Sequence, residues 1–525
     1  MQRSMLSLRR SAALARRLCS SLQRPRVPIR APDADADAEP PLLALPPQYA
    51  LRRNEAHCLV GVNGSGKSRL LRRLRDAAAA AGSSRARAVR VGALSLDAHR
   101  ALLAEHGDRV VAELLGGVGS PAARDVIVRL GLFPVWESRV RVLSTGEMRK
   151  LLLALALLER PRRADVLLLD QPFDGLDASA RKQLEWLLGQ LTRGFTRLLV
   201  DTGGRNDAFA FRTPVVMVAN RLDHVLPEVA THVVLVPKRD DGEIQVRSLA
   251  EDPGAVKLEL EAFLAAHSGG DARADGDATV DALVRRLYEA TSAPVDMGAD
   301  TVAIEMHGMS VAYDRRMLLQ DVRFSRRRGE HWALLGPNGS GKSSLLRVLM
   351  QTEGHGQVGG RLRLRGDRIA VVSTDQHVDM LDSVEVATQT AMQLIQAAAD
   401  DDGGGGGASL AETALQLVRV ARETASRPFG ELSQGEQKLV QIAIALAQRP
   451  AFLLLDEITH GLDAWNRARV LRVIDAVGRV ASDRTHMVLI THHEDEIPPS
   501  FQSIVEIRDQ RLVCRPRAPR ERGLQ

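Results

Sequence analysis

The chain has 525 residues, and its length predicts two to four domains because a single hydrophobic core rarely serves more than about 250 residues. Hydrophobic residues make up 45% and charged residues 26% of the chain, which excludes a wholly disordered or collagen-like protein. The formal net charge is +6, but residues 1–30 carry eight arginines and no acid. The remainder therefore carries −2, which gives no general reason to expect nucleic-acid binding.

Membrane spans and cysteine-based sites are not predicted either. The longest apolar run, Leu151–Leu158, is far shorter than the roughly 20 residues that cross a bilayer. The cysteines at positions 19, 58 and 514 make neither a disulfide framework nor a metal-ligand cluster. We therefore expect no iron–sulfur or structural zinc site.

The N-terminal segment has the composition of an organellar transit peptide. Residues 1–31 are rich in Arg, Ser, Leu and Ala, and the first acid is Asp33. We expect import into mitochondria, to the matrix or the matrix face of the inner membrane. Import into chloroplasts and a disordered basic tail on a cytoplasmic protein are the alternatives. A secretory signal is not favoured because no continuous apolar segment is present.

The main organisation is an internal repeat of four motifs. Each motif occurs twice in the same order, at offsets of 275, 289, 286 and 286 residues. This agreement predicts two homologous halves. The paired segments are Gly61–Ser68 with Gly336–Ser343, Leu143–Glu147 with Leu432–Glu436, Val166–Asp170 with Phe452–Asp456, and Gly175–Asp177 with Gly461–Asp463.

The repeat sets the predicted division of the chain. The segment between the halves holds eleven acids and four bases, a net charge of −7, and a helical pattern at Val280–Ala290. Residues 400–407 are an Asp/Gly run and predict a flexible loop inside the second half. The predicted units are a transit peptide and spacer (1–40), a first repeat domain (41–248), an acidic linker (249–300), a second repeat domain (301–515) and a basic tail (516–525).

Both copies of the first motif fit the glycine-rich loop that cradles phosphates. Each follows an apolar stretch and precedes a helical pattern, so backbone N–H groups at a helix start would face the phosphates. We expect Lys67 and Lys342 to reach the β- and γ-phosphates of a nucleotide, and Ser68 and Ser343 to bind Mg²⁺. The candidate nucleotide-binding residues of the loops are Gly61, Asn63, Gly64, Gly66, Lys67 and Ser68 in the first half, and Gly336, Asn338, Gly339, Gly341, Lys342, Ser343 and Ser344 in the second.

An apolar strand that ends in an acid follows each loop. Such a strand is typical of a buried parallel sheet and delivers its carboxylate to the carboxyl edge, so Asp170 and Asp456 are candidate Mg²⁺ ligands. The halves differ at the next position, where Glu457 can act as a catalytic base and Gln171 cannot. General-base assistance is typically worth about 10²–10⁴-fold, so we predict a slow or inactive first site. Harmless variation at Gln171 is the alternative.

With Leu-Ser-x-Gly-Glu lying between the loop and the acidic strand, each half resembles the ATP-binding-cassette (ABC) ATPases. In that family two cassettes pair head to tail, and the signature of one closes over ATP held by the loop of the other. Backbone N–H groups at a helix start suit a γ-phosphate. The implied pairings are Ser144 and Gly146 with the nucleotide on Lys342, and Ser433 and Gly435 with the nucleotide on Lys67.

The same resemblance implies roles for further positions. His492 matches the family's switch histidine, a second catalytic candidate that contacts the γ-phosphate, and its first-half counterpart is Asn220. Tyr313 suits the aromatic that stacks on adenine, and its counterpart is Ala38. A structural histidine and a half-buried strand tyrosine are the respective alternatives. The family's coupling glutamine has no clear match, because Gln376 lies two residues beyond the expected position.

The resemblance implies an α/β fold with two P-loop NTPase (ABC-type) domains. Each is expected to have a parallel-sheet core with antiparallel β and helical subdomains, and the two to form a head-to-tail pseudo-dimer within a monomeric chain. Segments such as Leu143–Lys150 and Gln171–Asp177 resemble more narrowly the twin-cassette ATP-binding proteins associated with bacterial molybdenum transport. The leader departs from that bacterial pattern, and no motif reads molybdate.

The function implied is a soluble ATPase that binds two Mg-ATP at the domain interface and hydrolyses mainly at the second-half site. Its turnover would drive a conformational change in a separate membrane protein. Two alternatives stay open: an ATP switch acting on ribosomes or nucleic acid, and a regulatory nucleotide-binding protein with negligible turnover. The acidic linker weighs against the first alternative because it would repel phosphates.

Overall fold

A computed structural model describes most of the chain between residues 43 and 517. The described residues are 43–45, 49–52, 55–81, 89–116, 126–158, 165–174, 176, 178–193, 213–221, 224–225, 229–238, 243–250, 252–267, 276–289, 302–313, 316–337, 340–350, 357–366, 368–400 and 407–517.

The two halves contain similar sets of strands, numbered here in chain order. They are β1 (Leu43–Leu45), β2 (Tyr49–Leu51), β3 (Ala56–Val60), β4 (Val91–Leu94), β5 (Val166–Asp170), β6 (Val215–Ala219), β7 (His232–Leu235), β8 (Gln245–Ser248), β9 (Val302–Tyr313), β10 (Arg316–Arg327), β11 (Trp332–Leu335), β12 (Gln357–Leu364), β13 (Ile369–Val372), β14 (Phe452–Asp456), β15 (His486–Thr491), β16 (Ser503–Arg508) and β17 (Arg511–Pro516).

The helices are numbered in the same way. They are α1 (Lys67–Ala81), α2 (Leu96–His106), α3 (Val111–Leu114), α4 (Thr145–Leu158), α5 (Ala178–Arg193), α6 (Pro253–His267), α7 (Asp277–Glu289), α8 (Lys342–Leu349), α9 (Thr374–Asp382), α10 (Val384–Thr388), α11 (Ala391–Asp400), α12 (Gly407–Val418), α13 (Arg422–Ala425), α14 (Gln434–Ala447) and α15 (Ala464–Val480). None of these helices is both long and apolar enough to cross a bilayer.

Each half is built on one six-stranded sheet, and the two sheets have equivalent strand orders. The order is β4-β5-β6-β3-β7-β8 in the first half and β13-β14-β15-β11-β16-β17 in the second. In both sheets the first five strands are parallel and the last strand is antiparallel. The predicted fold class of two parallel-sheet cores is therefore confirmed, and the motif repeat corresponds to a repeat of architecture.

The apolar run of each acidic strand reflects its central place in the sheet. Every residue of β5 and β6 is buried, as expected for parallel strands that are covered on both faces. Strand β3, which leads into the first phosphate loop, pairs with β6, and β6 pairs with β5. The carboxyl ends of these strands therefore bring the loop and the acid together at one edge of the sheet.

The antiparallel subdomain differs between the halves. In the second half β10, β9 and β12 form a three-stranded sheet, whereas the described residues of the first half form only the two-stranded β1-β2. Ala38, the predicted counterpart of Tyr313, lies outside the described residues.

The segment predicted as a linker contains two helices that pack on different halves. Val256 and Leu260 of α6 join the core of the first half. Val280 and Leu287 of α7 join a core cluster of the second half, which agrees with the helical pattern in the sequence. Burying these apolar side chains stabilises both contacts, so this segment contributes to the two cores as well as joining them.

Candidate nucleotide-binding sites

The two phosphate loops have the same internal geometry. The Lys67 ammonium donates hydrogen bonds to the carbonyl oxygens of Gly61 (2.7 Å) and Val62 (2.9 Å). The Lys342 ammonium donates to the equivalent carbonyls, those of Gly336 (2.7 Å) and Pro337 (2.8 Å). Both lysines begin a helix, so each loop places N–H groups at a helix start, where anions are stabilised.

The glycine before each lysine is required by the backbone. Gly66 has φ 97° and Gly341 has φ 101°, in the left-handed region that side chains disfavour. Gly64 also has a positive φ of 78°. Asn338 and Gly339, predicted from the sequence as part of the second loop, lie outside the described residues.

The donor set of the first half fits Mg²⁺. Asp170 ends β5 beside Ser68, whose side chain hydrogen-bonds to it, and Lys67 lies close enough to lower its pKa. Burial outweighs both contacts and raises the pKa of Asp170, and its Oδ1 has no partner among the described residues. A carboxylate and a hydroxyl are ligands that Mg²⁺ prefers, and a divalent cation would offset the cost of burying Asp170.

The second half presents the same residue types. Asp456 ends β14, and Ser343 and Ser344 follow Lys342 in the first turn of α8. Burial and the neighbouring charge of Glu457 raise the pKa of Asp456, and Lys342 opposes that shift. Ser343 and Asp456 are thus the residues that would hold Mg²⁺ in this half, where the ion would neutralise phosphate charge.

Glu457 lies between two histidines. Its Oε1 is 2.9 Å from Nδ1 of His492, and its Oε2 is 2.7 Å from Nδ1 of His460. The backbone of Glu457 is left-handed (φ 49°), a conformation that costs energy in a non-glycine residue, and its N–H donates to the Ile490 carbonyl (3.0 Å). The strained turn therefore directs the carboxylate toward the end of β15, where His492 follows.

The charges of this cluster keep Glu457 ionised. Burial would raise the pKa of Glu457, but His460, His492 and Lys342 hold it well below its usual range. Burial lowers the pKa of His492, yet the contact with Glu457 outweighs burial and raises it. Burial lowers the pKa of His460 to about 4, so this ring is neutral at pH 7 and donates its Nδ1–H. An ionised carboxylate held in this way can orient water or accept its proton.

The first half keeps the backbone of this arrangement and lacks its charges. Gln171 is also left-handed (φ 53°), and its carbonyl accepts a hydrogen bond of 2.6 Å from the Arg149 guanidinium. Asn220, in the place of His492, is buried, and neither atom of its amide has a partner among the described residues. An amide in place of the carboxylate cannot accept a proton from water, so the first half lacks a base at this position.

Both signature segments begin helices by the same capping pattern. The Ser433 hydroxyl and the Glu436 carboxylate cap each other's backbone N–H groups at the start of α14. Ser144 and Glu147 make the same two contacts at the start of α4, which Gly146 continues. This capping box explains the spacing between the serine and the glutamate, and it exposes free N–H groups of the first turn.

The second signature lies against the first phosphate loop. The Asn63 N–H donates to Asp463 Oδ2 (2.8 Å), and its amide donates to the Gly461 carbonyl (3.3 Å). Gly435 approaches so closely that a Cβ built on it would lie 2.0 Å from Asn63 Nδ2. The halves therefore meet head to tail at this site, with the Ser433–Glu436 turn over the loop that carries Lys67.

At the reciprocal site, Asn338 and Gly339 of the second loop lie outside the described residues. Gly461, whose carbonyl accepts from Asn63, also donates its N–H to Asp174 Oδ2 (2.9 Å), a second contact between the halves. Contacts of Ser144 and Gly146 with the second loop would involve residues outside the described ranges, so that pairing stays a prediction. Tyr313 ends β9, and the position of its side chain is likewise outside the description. Gln376 lies in the first turn of α9, where its N–H is capped by Ser373 Oγ (3.1 Å).

Several residues of the site were not identified from the sequence. His460 contacts Glu457, and Lys438, with its pKa lowered to about 8 by burial, faces Asp456 and Glu457. The sequence signal for them is the repeat. In it His460 corresponds to Asp174 of the first half, and Lys438 corresponds to Arg149. No motif indicates that His460, Lys438 and Arg149 lie near Glu457, or that Asp174 lies near His460.

Comparisons with known proteins agree with this architecture. Residues 46–174 and 319–460, together more than half of the chain, match the family described as ABC transporter. The ABC transporter ATP-binding protein ModF of Escherichia coli (strain K12) is 28% identical over 485 residues, 86% of this chain and 91% of that protein. An uncharacterized ABC transporter ATP-binding protein of Schizosaccharomyces pombe is 23% identical over 71% of this chain and 69% of its own. The solved structure titled "Model of ribosome-bound archaeal Pelota and ABCE1" aligns at a TM-score of 0.54 and 18% identity, covering 88% of this chain and 75% of that one, which is a likeness of fold.

Proposed function

The chain belongs to the ABC transporter family, and we propose that it is a twin-cassette ATPase that hydrolyses ATP mainly at the site of its second half. In this proposal two Mg-ATP molecules bind at the interface of the halves. Turnover at Lys342, Asp456 and Glu457 then drives a conformational change in a separate membrane protein. The first site, at Lys67, binds nucleotide with little turnover.

The single observation that carries this proposal is the contrast between the two catalytic turns. Glu457 is ionised and held by His460 and His492, whereas Gln171 and Asn220 offer two uncharged amides at the same positions. Both turns keep the left-handed backbone, so the difference lies in the side chains and not in the fold. Losing a base typically costs about 10²–10⁴-fold in rate.

One observation supports a membrane partner, and a second weighs against the ribosomal alternative. The E. coli relative, similar over 86% of this chain, is named as an ABC transporter ATP-binding protein. The segment 249–300 has a net charge of −7, which disfavours approach to a phosphate backbone. The described helices offer no span of their own, so a transport role needs a second protein.

A trapped variant tests the partner directly. Glu457→Gln removes the base while keeping the shape of the side chain, and should hold ATP at the second site. We would purify it with Mg-ATP from gently solubilised organelles, beside the matched Gln171→Ala variant, and identify co-purifying proteins by mass spectrometry. A stoichiometric multi-span membrane protein enriched with Glu457→Gln supports the proposal.

Two other results of that purification would overturn the proposal of a membrane partner. Ribosomal proteins or nucleic acid in the trapped sample would establish the ribosomal alternative. A trapped protein with neither, and with negligible turnover in the wild type, would establish a regulatory nucleotide-binding protein.

We also propose a mitochondrial location, on the composition of residues 1–31. Fusing this segment to a fluorescent reporter should direct the reporter to mitochondria, because an Arg-rich segment without acids responds to the membrane potential. A matched fusion with its eight arginines changed to glutamine should stay in the cytoplasm. Import of both fusions, or of neither, would contradict the proposal.

A further inference from the structure

A cluster of metal-binding side chains lies in the first half, away from the phosphate loop. Glu55 precedes β3, His57 is its second residue, and His232 begins β7. The two histidines are register partners across these parallel strands, with ring centroids 5.0 Å apart. One potential ligand atom from each of the three side chains lies within 4.8 Å of the other two. The cluster is at the amino end of the strands, and the nucleotide is expected at the carboxyl end.

Each histidine is held through one ring nitrogen by a neighbouring hydroxyl. Tyr49 Oη lies 2.7 Å from His57 Nδ1, and Thr231 Oγ1 lies 2.9 Å from His232 Nδ1. The Thr231 hydroxyl also donates to the Ala56 carbonyl (3.0 Å), so His232 Nδ1–H is the group that donates to Thr231. That tautomer leaves the lone pair on His232 Nε2. Outer hydrogen bonds of this kind are what orient metal-ligating histidines.

The second nitrogen of His57 already faces the carboxylate. His57 Nε2 is 3.1 Å from Glu55 Oε2, which also accepts the Arg52 N–H (2.9 Å). Ligand atoms around a tetrahedral zinc ion with bonds of about 2.0–2.1 Å lie roughly 3.3 Å from one another. The separation between His57 Nε2 and Glu55 Oε2 is therefore near that of two ligands on one zinc ion, and His232 offers a ligand atom within 4.8 Å of both, so side-chain rotations would complete the site.

We propose that Glu55, His57 and His232 form a binding site for a divalent transition metal of the zinc class. Two imidazoles and one carboxylate are a ligand set that zinc accepts, with water in the fourth position. His57 is 1% exposed, whereas Glu55 and His232 are half-buried, which leaves an approach for the ion. The exposed Arg52 guanidinium lies close enough to act electrostatically on His232, and its positive charge would disfavour a bound cation. A structural zinc site was not expected because the three cysteines form no ligand cluster, but this ligand set contains no cysteine.

The site would join three separate elements of the first half. A bound ion would join His57 of β3 to His232 of β7, and Tyr49 of β2 would be connected through its hydrogen bond to His57. The second half has no counterpart, because the register pair at the same place is Trp332 with Ser503. This difference predicts one ion per chain at this position.

Zinc binding to the full-length protein tests the proposal. The protein is stripped with a chelator, dialysed, and titrated with Zn²⁺ against a chromophoric competitor, without nucleotide. We expect one equivalent that His232→Ala weakens at least about 100-fold, since it removes one of three ligands. Glu55→Gln, which keeps the size of the side chain, should also weaken zinc binding. If His232→Ala does not fold, the affinity of Glu55→Gln tests the proposal.

Two controls separate this site from the rest of the chain. His106→Ala removes a half-buried histidine of α2 in the same half and should leave the equivalent unchanged. His460→Ala disrupts the other Glu-His-His cluster, so any zinc lost there is distinguished from zinc at His232. Zn²⁺ should raise the melting temperature of the wild type and not that of His232→Ala. A wild type that binds no equivalent beyond that of His232→Ala, or variants that both retain it, would overturn the proposal.

Discussion

The backbone N–H of Asn63 donates a 2.8 Å hydrogen bond to Asp463, 400 residues further along the chain. Asp463 also caps helix α15 by accepting from the Asn466 N–H (2.9 Å), so the acceptor is fixed in place by its own half. The first phosphate loop is therefore shaped partly by the second half. Nucleotide binding at Lys67 and the association of the halves should consequently be coupled.

A disulfide should form across this contact. A Cβ built on Gly435 lies 3.1 Å from Asn63 Cβ, a few tenths of an ångström below the range of about 3.5–4.5 Å found in disulfides, so a slight outward movement of the turn would allow the bond. In a background with Cys19 and Cys514 changed to serine, Asn63→Cys with Gly435→Cys should cross-link under mild oxidation within one chain. Mass spectrometry of non-reduced peptides detects the bond, and each single cysteine variant is the control. Absence of the cross-linked peptide in the folded double variant would contradict the head-to-tail arrangement.

His460 should act as a positioning residue for Glu457. Its Nδ1–H holds Glu457 Oε2 and contributes to the low pKa of that carboxyl. His460→Ala should lower kcat about 10-fold with little change in KM, because a misplaced base costs rate more than binding. The acid limb of the kcat–pH profile should also move to higher pH, since the pKa of Glu457 rises without this donor.

Two outcomes check that interpretation. His460→Gln, which can still donate a hydrogen bond, should recover part of the rate. An unchanged pH profile in His460→Ala, with kcat lowered, would indicate a structural role alone.

The second half should lose stability in mild acid. Burial lowers the pKa of His486 to about 3 and that of His331 to about 4, while an unfolded histidine titrates at about 6.5. The unfolded chain therefore binds more protons as the pH falls below 6.5, and each group costs up to about 1.4 kcal/mol per pH unit until its folded pKa is reached. The stability these neutral rings contribute is complete above pH 6.5 and is lost toward pH 4.

A single substitution isolates this effect. His486 is fully buried and packs edge-on against Phe452, so His486→Leu removes the titrating ring at similar volume. Urea unfolding at pH 7 and pH 5 should show a smaller acid loss in this variant than in the wild type. The exposed-histidine control His307→Ala should match the wild type, and an equal loss in all three proteins would exclude the explanation.

Much of the architecture could be predicted from the repeat. Both phosphate loops, both acidic strands and the helices after the signatures occur where the motifs indicate, because each motif is local and its backbone geometry depends on nearby residues. Helix α7 was also indicated by its apolar spacing. By contrast α6 was assigned to a linker, since its apolar face becomes interpretable only beside the core of the first half.

Contacts that depend on turn geometry or on the order of strands in the sheet could not be predicted in this way. His460 reaches Glu457 through a left-handed turn that no apolar pattern reports. The pairing of His57 with His232 depends on two strands 175 residues apart becoming neighbours in the sheet. In both cases the residue types were visible in the sequence, and only the fold brought them together.

The claim that hydrolysis occurs mainly at the second-half site is tested most directly by steady-state ATPase rates of two matched variants. Glu457→Gln removes the ionised base and should lower kcat at least about 100-fold, whereas Gln171→Ala should lower it at most a few-fold. Nucleotide binding by both variants confirms that the sites remain folded. Equal losses of activity from the two substitutions would contradict the asymmetry.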